Sequence, residues 1–343
     1  MESIHVRLSP GATTLAEVLR ENGWKTAAIL GAANLHHAFG LNQGFQFYDD
    51  QIGKGSDPKL KSVQPVNTWE RKAEEVNELV FHWFDQRRNS QKFFLMIHYF
   101  DPHYRYDPPP SFQTTYKIRA GKRARMKALY DGEVSYVDQQ IGKIIDKLES
   151  LGLGQNTLII ITADHGEALG DHHSKMHGRV LFDEQVHVPL IFVGPGIPPG
   201  HRISALVQHV DLAPTILDYL NVPIPSVFQG VSFLPTLKGK KTRQYVLLER
   251  PKWTKHSHEW AVRTETEKFI WSARGNHRLY DLKQDPKELH NLYKPHQEDK
   301  LPFFIDGRKY RSSFPVYNLA KPLEPTGDDF EPDEALKALG YVQ

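Results

Sequence analysis

The chain has 343 residues, of which 24% are charged and 39% hydrophobic, the balance of an ordinary globular protein. A net charge of +2 at pH 7 does not indicate a nucleic-acid partner. Cysteine is absent, which excludes disulfides, thiolate metal sites and a cysteine nucleophile. No uncharged apolar run reaches about 18 residues, so no transmembrane helix is predicted. No export signal is visible either, and the sequence leaves the localisation open.

The first half of the chain alternates between predicted helices and strands. Thr14 and Glu17 have the spacing of a capping box, which predicts a helix that starts at residue 15 and stops near Gly23. Residues 51–67 contain Gly, Pro, Lys and Ser without a period and are predicted as a loop. Apolar patterns predict two strands, at 26–31 and 93–100, and two long helices, at 69–88 and 122–150.

The next segments complete the pattern of an α/β protein. The strand predicted at 158–163 is apolar on both faces, which suits the middle of a parallel sheet. Another strand is predicted at 188–193, and Asp211 is predicted to cap a helix over 212–220. The alternation predicts a mainly parallel or mixed sheet flanked by helices.

The character of the sequence changes near residue 240. Short antiparallel strands are predicted there, at 245–248, 260–263 and 268–271. Residues 294–332 are rich in Pro and charge and are predicted to be irregular. We therefore divide the chain into an α/β domain over 1–240 and a C-terminal subdomain with a small antiparallel sheet over 241–343.

Two predicted strands end in polar clusters that could carry chemistry. The first is Asp101-Pro102-His103 and the second is Asp164-His165-Gly166-Glu167. Ligands bind outside the carboxyl ends of strands in open α/β sheets, and an adjacent carboxylate and imidazole could bind one divalent cation. The alternative for the second cluster is that Asp164 caps a turn and His165 is simply packed.

A segment rich in histidine follows the second cluster. His172, His173, Lys175, His177 and Arg179 could form a pocket for a tetrahedral anion, although a solvated polar loop is the commoner explanation of such a stretch. A basic run over 117–127 could steer an anionic substrate toward a cleft. A solvated loop and first helical turn explain that run more simply.

Taken in order, these segments resemble the sulfatases of the alkaline-phosphatase-like superfamily. The resemblance covers nearly the whole chain, and the ordered set is specific although each piece is weak. The matching segments are Thr14-Leu15-Ala16-Glu17, Gly23-Trp24-Lys25-Thr26-Ala27-Ala28, His98-Tyr99-Phe100-Asp101-Pro102-His103, Thr162-Ala163-Asp164-His165-Gly166-Glu167, His177-Gly178, Val188-Pro189-Leu190, Leu279-Tyr280-Asp281-Leu282 and Leu336-Lys337-Ala338-Leu339-Gly340-Tyr341-Val342.

The resemblance implies an alkaline-phosphatase-like fold and hydrolysis of a small-molecule or glycan sulfate ester. It implies one divalent cation, with calcium the commonest in the family and magnesium or manganese also plausible. By the match, Asp164 and His165 would be metal ligands. His103 and His177 would contact the sulfate or handle the proton of the leaving oxygen. Lys175 and Arg179 are neighbours that could help to bind the substrate.

One part of the family's site is missing from this sequence. The family carries two adjacent acidic ligands and then a Cys or Ser in a C/S-x-P-S-R segment, which becomes the formylglycine nucleophile. This sequence has no Cys and no Ser-x-Pro-Ser-Arg segment. We therefore expect a sulfatase that lacks its first segment and is inactive as this chain.

Two alternatives stay open at this stage. The first is a phosphodiesterase or phosphonate hydrolase of the same superfamily, since the Asp-His-Gly-Glu segment does not exclude it. The second is a non-catalytic protein that binds sulfated glycans through its basic, histidine-rich cleft. The sequence does not predict an oligomeric state.

Overall fold

The structure is a computed structural model that describes residues 7–52, 69–88, 90–113, 121–250 and 258–313, together with Glu334. These residues fall into two compact units, which separate between Gly154 and Gln155. We call them the N-terminal unit and the C-terminal unit. Within the described residues, no helix is both long and apolar enough to cross a membrane.

A three-stranded parallel sheet lies at the centre of the N-terminal unit. Its strands are β1 (Lys25–Ile29), β2 (Phe47–Asp49) and β3 (Phe93–Ile97), in the order β2-β1-β3. The central strand β1 is buried from Thr26 onward, as its small apolar residues allow. The strands all run in one direction, so their carboxyl ends share one edge, and the loops that follow meet there.

In the described part of this unit, four helices accompany the sheet, namely α1 (Leu15–Glu21), α2 (Ala73–Gln86), α3 (Pro110–Gln113) and α4 (Lys122–Ser150). The capping box at α1 is confirmed, because the Glu17 N–H donates to Thr14 Oγ1 and the Thr14 N–H donates to Glu17 Oε2. Helices α2 and α4 are joined by a buried polar contact, in which the Asn77 amide donates to the Gln140 carbonyl at 2.9 Å.

The C-terminal unit begins with a two-stranded sheet. Strand β4 (Ile159–Thr162) pairs with β5 (Leu190–Val193), and the short helices α5 (Asp183–Val186) and α6 (Leu212–Tyr219) lie nearby in the chain. The pairing of β4 with β5 is antiparallel, whereas its apolar pattern suggested the middle of a parallel sheet. The segment between the two strands holds no helix long enough for the crossover that a parallel pair requires.

The second sheet of the C-terminal unit is a four-stranded antiparallel meander. Its strands are β6 (Val246–Arg250), β7 (Glu259–Arg263), β8 (Glu267–Ser272) and β9 (Arg278–Asp281), paired in chain order. The prediction of a C-terminal antiparallel sheet is confirmed, and so is the α/β fold class with its parallel sheet and helices.

The sequence prediction was wrong for part of the segment 294–332. Residues Pro302–Ser313 form helix α7, which is amphipathic only weakly. Phe304 is almost fully buried, and its ring stacks on Trp260 with 4.8 Å between the centroids. The polar composition of this segment gave no sign of α7, which packs through the buried Phe304.

Asp211 precedes helix α6 as predicted, but its side chain does not cap that helix. Its carboxylate accepts the N–H of Val231 and pairs with Arg243, and both charged side chains are buried. Several predictions lie outside the described residues: most of the loop 51–67, Lys117 and Arg119 of the basic run, and the segment 336–342. The division of the chain at residue 240 stays a prediction.

Candidate active site

The carboxyl edge of the parallel sheet gathers polar side chains in the N-terminal unit. His36 and His37 follow β1, Asp50 follows β2, and the loop with Asp101 and His103 follows β3. The topology therefore places the predicted residue His103 at the edge where open α/β sheets bind ligands.

His103 is buried within its own loop. Its ring stacks on Phe100 with 4.3 Å between the centroids, and its Nδ1 atom lies 2.8 Å from the backbone oxygen of Tyr104. Because a carbonyl can only accept, Nδ1 carries a proton in this arrangement. The second nitrogen, Nε2, is then the atom through which His103 can bind a substrate or exchange a proton.

Two carboxyl groups are buried at this loop, one within it and one from helix α4. Asp101 is 6% exposed, and burial raises its pKa to about 6. Glu133, from helix α4, is 1% exposed, and burial raises its pKa to about 9, although the N–H of Asp107 and the ammonium of Lys72 act in the opposite direction. Glu133 is thus a neutral acid at neutral pH, and it accepts the Asp107 N–H at 2.8 Å.

His36, His37 and Asp50 form a compact group whose ligand atoms all lie within 4.8 Å of one another, so it could hold a metal ion. Hydrogen bonds within the loops define the tautomer of each imidazole ring in this group. Nδ1 of His37 donates to the buried Asp50 carboxylate at 2.7 Å. Nδ1 of His36 accepts the N–H of Ala38, so its Nε2 carries the proton and offers Asp50 a donor. The group is therefore explained as a clamp that joins the loops after β1 and β2.

Asp164 and His165 stand at the end of β4 in the C-terminal unit. Nδ1 of His165 donates to the Gly166 carbonyl at 2.9 Å, which leaves a lone pair on Nε2. That Nε2 atom lies 3.6 Å from Oδ2 of Asp164, whose carboxylate is largely exposed. A carbonyl that fixes the imidazole tautomer is the usual support of a metal-ligating histidine, so these two residues fit a divalent cation.

His177 is brought against this pair. Its ring stacks on that of His165 with 3.9 Å between the centroids, and its Nδ1 donates to Oε2 of Glu167 at 3.1 Å. The same glutamate accepts the N–H of Ala168, and it is 9% exposed. Glu167 therefore helps to fix the orientation of the His177 ring.

The two predicted substrate-binding residues lie in the same loop as His177 but take no part in its contacts with His165 and Glu167. Lys175 and Arg179 are both exposed, and the described residues show no ion pair for either of them. His172 and His173 have φ angles of 45° and 58°, the left-handed region that residues other than glycine seldom adopt. The loop is thus held in one unusual conformation, with Lys175 and Arg179 facing solvent.

The structure therefore brings together Asp164, His165 and His177 in the C-terminal unit, and it places His103 in the N-terminal unit. Sequence reasoning missed the role of Glu167, although it quoted this residue in the strand-end cluster. It also missed Asp50 and Glu133, which are acidic residues that become buried. Only the position of Asp50 directly after a strand could have signalled its role.

Comparison with known families identifies the family of the chain. The Sulfatase family matches residues 2–222, and the family described as N-sulphoglucosamine sulphohydrolase, C-terminal, matches residues 170–306. The chain belongs to the sulfatase family, a family of sulfuric ester hydrolases that generally use a divalent metal.

Proteins of similar sequence are also named as sulfatases. An arylsulfatase of Clostridium perfringens is 26% identical over 298 residues, which is 71% of this chain and 61% of the relative. A Delta 4,5-hexuronate-2-O-sulfatase of Bacteroides thetaiotaomicron is 33% identical over 190 residues, which is 51% of this chain and 38% of the relative. The chain thus spans less than two thirds of the length of these relatives.

Solved structures share the fold at low sequence identity. A protein in complex with its substrate D-glucosamine-2-N,6-O-disulfate superposes with a TM-score of 0.75 at 20% identity, covering 91% of this chain and 85% of the other. The phosphonate monoester hydrolase of Agrobacterium radiobacter gives a TM-score of 0.72 at 19% identity, covering 90% and 82%. These likenesses establish the alkaline-phosphatase-like fold.

Proposed function

We propose that this chain contributes the metal-binding and sulfate-binding residues of a sulfate-ester hydrolase. The observation that carries the proposal is the pairing of Asp164 with His165, in which the Gly166 carbonyl holds the imidazole in the tautomer that a metal requires. A bound cation would supply positive charge near the sulfate oxygens. By the family resemblance we propose calcium, with magnesium or manganese as the alternatives.

The other residues of the site act by binding and by holding protons. Glu167 holds the Nδ1 proton of His177, so the Nε2 atom of that ring can accept a proton in the neutral imidazole and can donate to a sulfate oxygen or to the leaving oxygen in the imidazolium. His103 presents its Nε2 atom in the same way within the N-terminal unit. Lys175 and Arg179 are exposed cations in the loop of His177, and they can attract an anionic ester before it binds.

For the substrate we propose the sulfate ester of a small molecule or a glycan. Relatives of the chain are named for sulfated sugars, as in the Delta 4,5-hexuronate-2-O-sulfatase and an N-acetylglucosamine-6-O-sulfatase. These names share the sulfate group but differ in the sugar. They therefore support a sulfate ester as the substrate without favouring any one sugar.

Calcium titration of the purified chain, free of any histidine tag, tests the metal site. We expect Asp164→Asn to weaken calcium binding by at least about 10-fold, because it removes one of the two protein ligands. Asp146→Asn, at an exposed position of helix α4, is the matched control and should leave binding unchanged. Equal binding by the wild-type chain and the Asp164→Asn variant would contradict the proposed metal site.

Turnover is a separate question from metal binding. Since the sequence contains no segment able to form the family's nucleophile, we expect no hydrolysis of an aryl sulfate by the 343-residue chain. Turnover that disappears in the Asp164→Ala variant would show this prediction to be wrong.

Phosphonate hydrolysis is the second candidate reaction, because phosphonate monoester hydrolases share the fold. An aryl sulfate and an aryl phosphonate should be compared on a protein that includes the nucleophile segment. Faster cleavage of the phosphonate would overturn the sulfatase proposal. Binding of a sulfated polysaccharide at low salt, without any hydrolysis by that protein, would favour a binding protein instead.

A further inference from the structure

Lys268 is a buried lysine of strand β8. None of its side-chain surface is exposed, and its Nζ atom lies 2.8 Å from Oδ1 of Asp183 and 2.9 Å from Oε1 of Glu288. An ammonium group is rarely buried unless it is paired, and here two carboxyl groups surround it. The lysine therefore holds two distant segments of the C-terminal unit together.

These contacts converge on the first turn of helix α5. The Asp183 N–H donates to Oε2 of Glu288 at 2.6 Å, and the Arg263 guanidinium lies 3.2 Å from the Asp183 carboxylate. Burial alone would raise the pKa of Asp183, but Lys268 and Arg263 together hold it below its ordinary value. Asp183 is therefore ionised, and the start of α5 is fixed by both cations.

Helix α5 in turn supports the turn that carries the proposed metal ligands. The Gly166 N–H donates to the Gln185 carbonyl at 2.8 Å. A Cβ atom on Gly166 would lie only 2.3 Å from the Glu184 carbonyl, so the two backbones are in direct contact. The carbonyl of the same glycine accepts a hydrogen bond from Nδ1 of His165. Any shift of α5 would therefore move the hydrogen bond that fixes the orientation and tautomer of this imidazole.

The same helix also supports the loop that carries His177. Nδ1 of His172 lies 2.8 Å from Oε1 of Glu184, and its Nε2 lies 3.1 Å from the Glu288 carbonyl. The ring of His172 stacks on Phe182, the residue before α5, with 3.7 Å between the centroids. This explains how His172 keeps its left-handed backbone.

We infer that Lys268 is a positioning residue for the site: through Asp183, Glu288 and helix α5 it sets the Asp164–His165 ligand pair and the His177 loop. The inference rests on the proposed metal site and adds the residues that align it. Lys268 is fully buried and its ammonium is paired with Asp183 and Glu288, so we expect its effect to reach the site through the backbone of α5.

Three variants and the Mn²⁺ ion, used as an electron-paramagnetic probe of the full chain, test this inference. Lys268→Met removes the ammonium but keeps the length of the side chain. Lys268→Met/Asp183→Asn/Glu288→Gln removes the buried ammonium together with its two carboxyl partners, which lowers the cost of leaving a buried charge unpaired, and only the partly exposed Arg263 keeps its charge. Lys283→Met, at an exposed position after β9, is the matched control.

We expect Lys268→Met to weaken Mn²⁺ binding by about 10-fold or more, as the loss of a group that orients a metal ligand commonly does. The triple variant should regain folding stability, measured by urea unfolding, without regaining Mn²⁺ affinity. If affinity returns together with stability, Lys268 has only a structural role and the inference is wrong. The control should match the wild type in both measurements.

The Asp164→Asn variant separates the two possible failures. If it weakens Mn²⁺ binding but Lys268→Met does not, the metal site stands and the positioning role is wrong. If Asp164→Asn leaves Mn²⁺ binding unchanged, the metal site is wrong, and the inference that depends on it fails as well.

Discussion

The carboxyl group of Glu133 in helix α4 accepts the backbone N–H of Asp107 at 2.8 Å, so the helix holds the loop that carries His103. Burial raises the pKa of Glu133 to about 9, against an ordinary value of 4.5. Between these two pH values the folded chain keeps a proton that the unfolded chain loses. Stability from this proton is complete below the ordinary pKa and is lost as the pH rises through about 9.

Replacement of Glu133 by Gln should remove this dependence, because the amide keeps an acceptor for Asp107 but does not titrate. We expect the difference in unfolding free energy, variant minus wild type, to increase between pH 6.5 and 9. The limit for one proton is about 1.4 kcal/mol per pH unit. Urea unfolding measures this difference at several pH values, all above the Asp101 pKa of about 6. Glu78→Gln, on the exposed side of α2, should give a constant difference, and a constant difference for Glu133→Gln would refute the assignment.

Two glycines of helix α4 should respond to alanine in opposite ways. A Cβ on Gly132 would lie 2.8 Å from the Phe112 carbonyl and 3.0 Å from Cγ of Pro108, whereas a Cβ on Gly142 would meet nothing within 4 Å. Gly142→Ala should stabilise the chain by up to about 1 kcal/mol, since alanine is the better helix former. Gly132→Ala should destabilise it by about 1–3 kcal/mol, because it pushes the loop of His103 away. Thermal unfolding of the two variants measures both effects, and equal stabilisation by both would show that the close packing is absent.

Glu167 should control the tautomer of His177. In Glu167→Ala the acceptor of the Nδ1 proton is lost, so we expect the fraction of the Nδ1–H tautomer of His177 to fall, as followed by nitrogen-15 NMR of the ring. The ring of His165 should keep its tautomer, because the Gly166 carbonyl remains. Asp146→Asn, at an exposed position of helix α4, serves as the control and should leave the signals of both rings in place.

The buried pair of Arg243 and Asp211 should be essential for stability. Arg243→Met leaves the Asp211 carboxylate buried without its cation, and such a loss commonly costs about 3–5 kcal/mol. Arg202→Met, at an exposed position of the same unit, should change the unfolding free energy by less than about 0.5 kcal/mol. Urea unfolding compares the two, and similar small effects would mean that the pair contributes little.

Local patterns in the sequence were sufficient for most of the secondary structure. The capping box at Thr14 and the apolar stripe of residues 122–150 predicted α1 and α4 closely, because both signals arise from neighbouring residues. The proposed ligand pair, Asp164 and His165, was also visible, as a polar cluster after an apolar strand. Helix α7 was missed because the aromatic residues that Phe304 packs against, Trp260 and Phe269, lie about forty residues away in the chain.

The supporting residues of the site could not be predicted for the same reason. Lys268 lies in an otherwise apolar strand, where a lysine only breaks the hydrophobic pattern. Its partner Asp183 lies 85 residues earlier in the chain. Glu133 occupies a helix where an acid is ordinarily exposed. In both cases the partner that gives the residue its role comes from another part of the fold, and no local period reveals it.

The separation between Asp183 and Lys268 also matters while the chain is being made. A ribosome that adds about 5–20 residues per second needs roughly 4–17 s to move from Asp183 to Lys268. During that interval Asp183, Glu184 and Gln185 have emerged without the lysine that holds them. By the proposal above, a nascent chain that stops before β8 would carry Asp164 and His165 without the contacts that align them, and the proposed metal would bind late in synthesis.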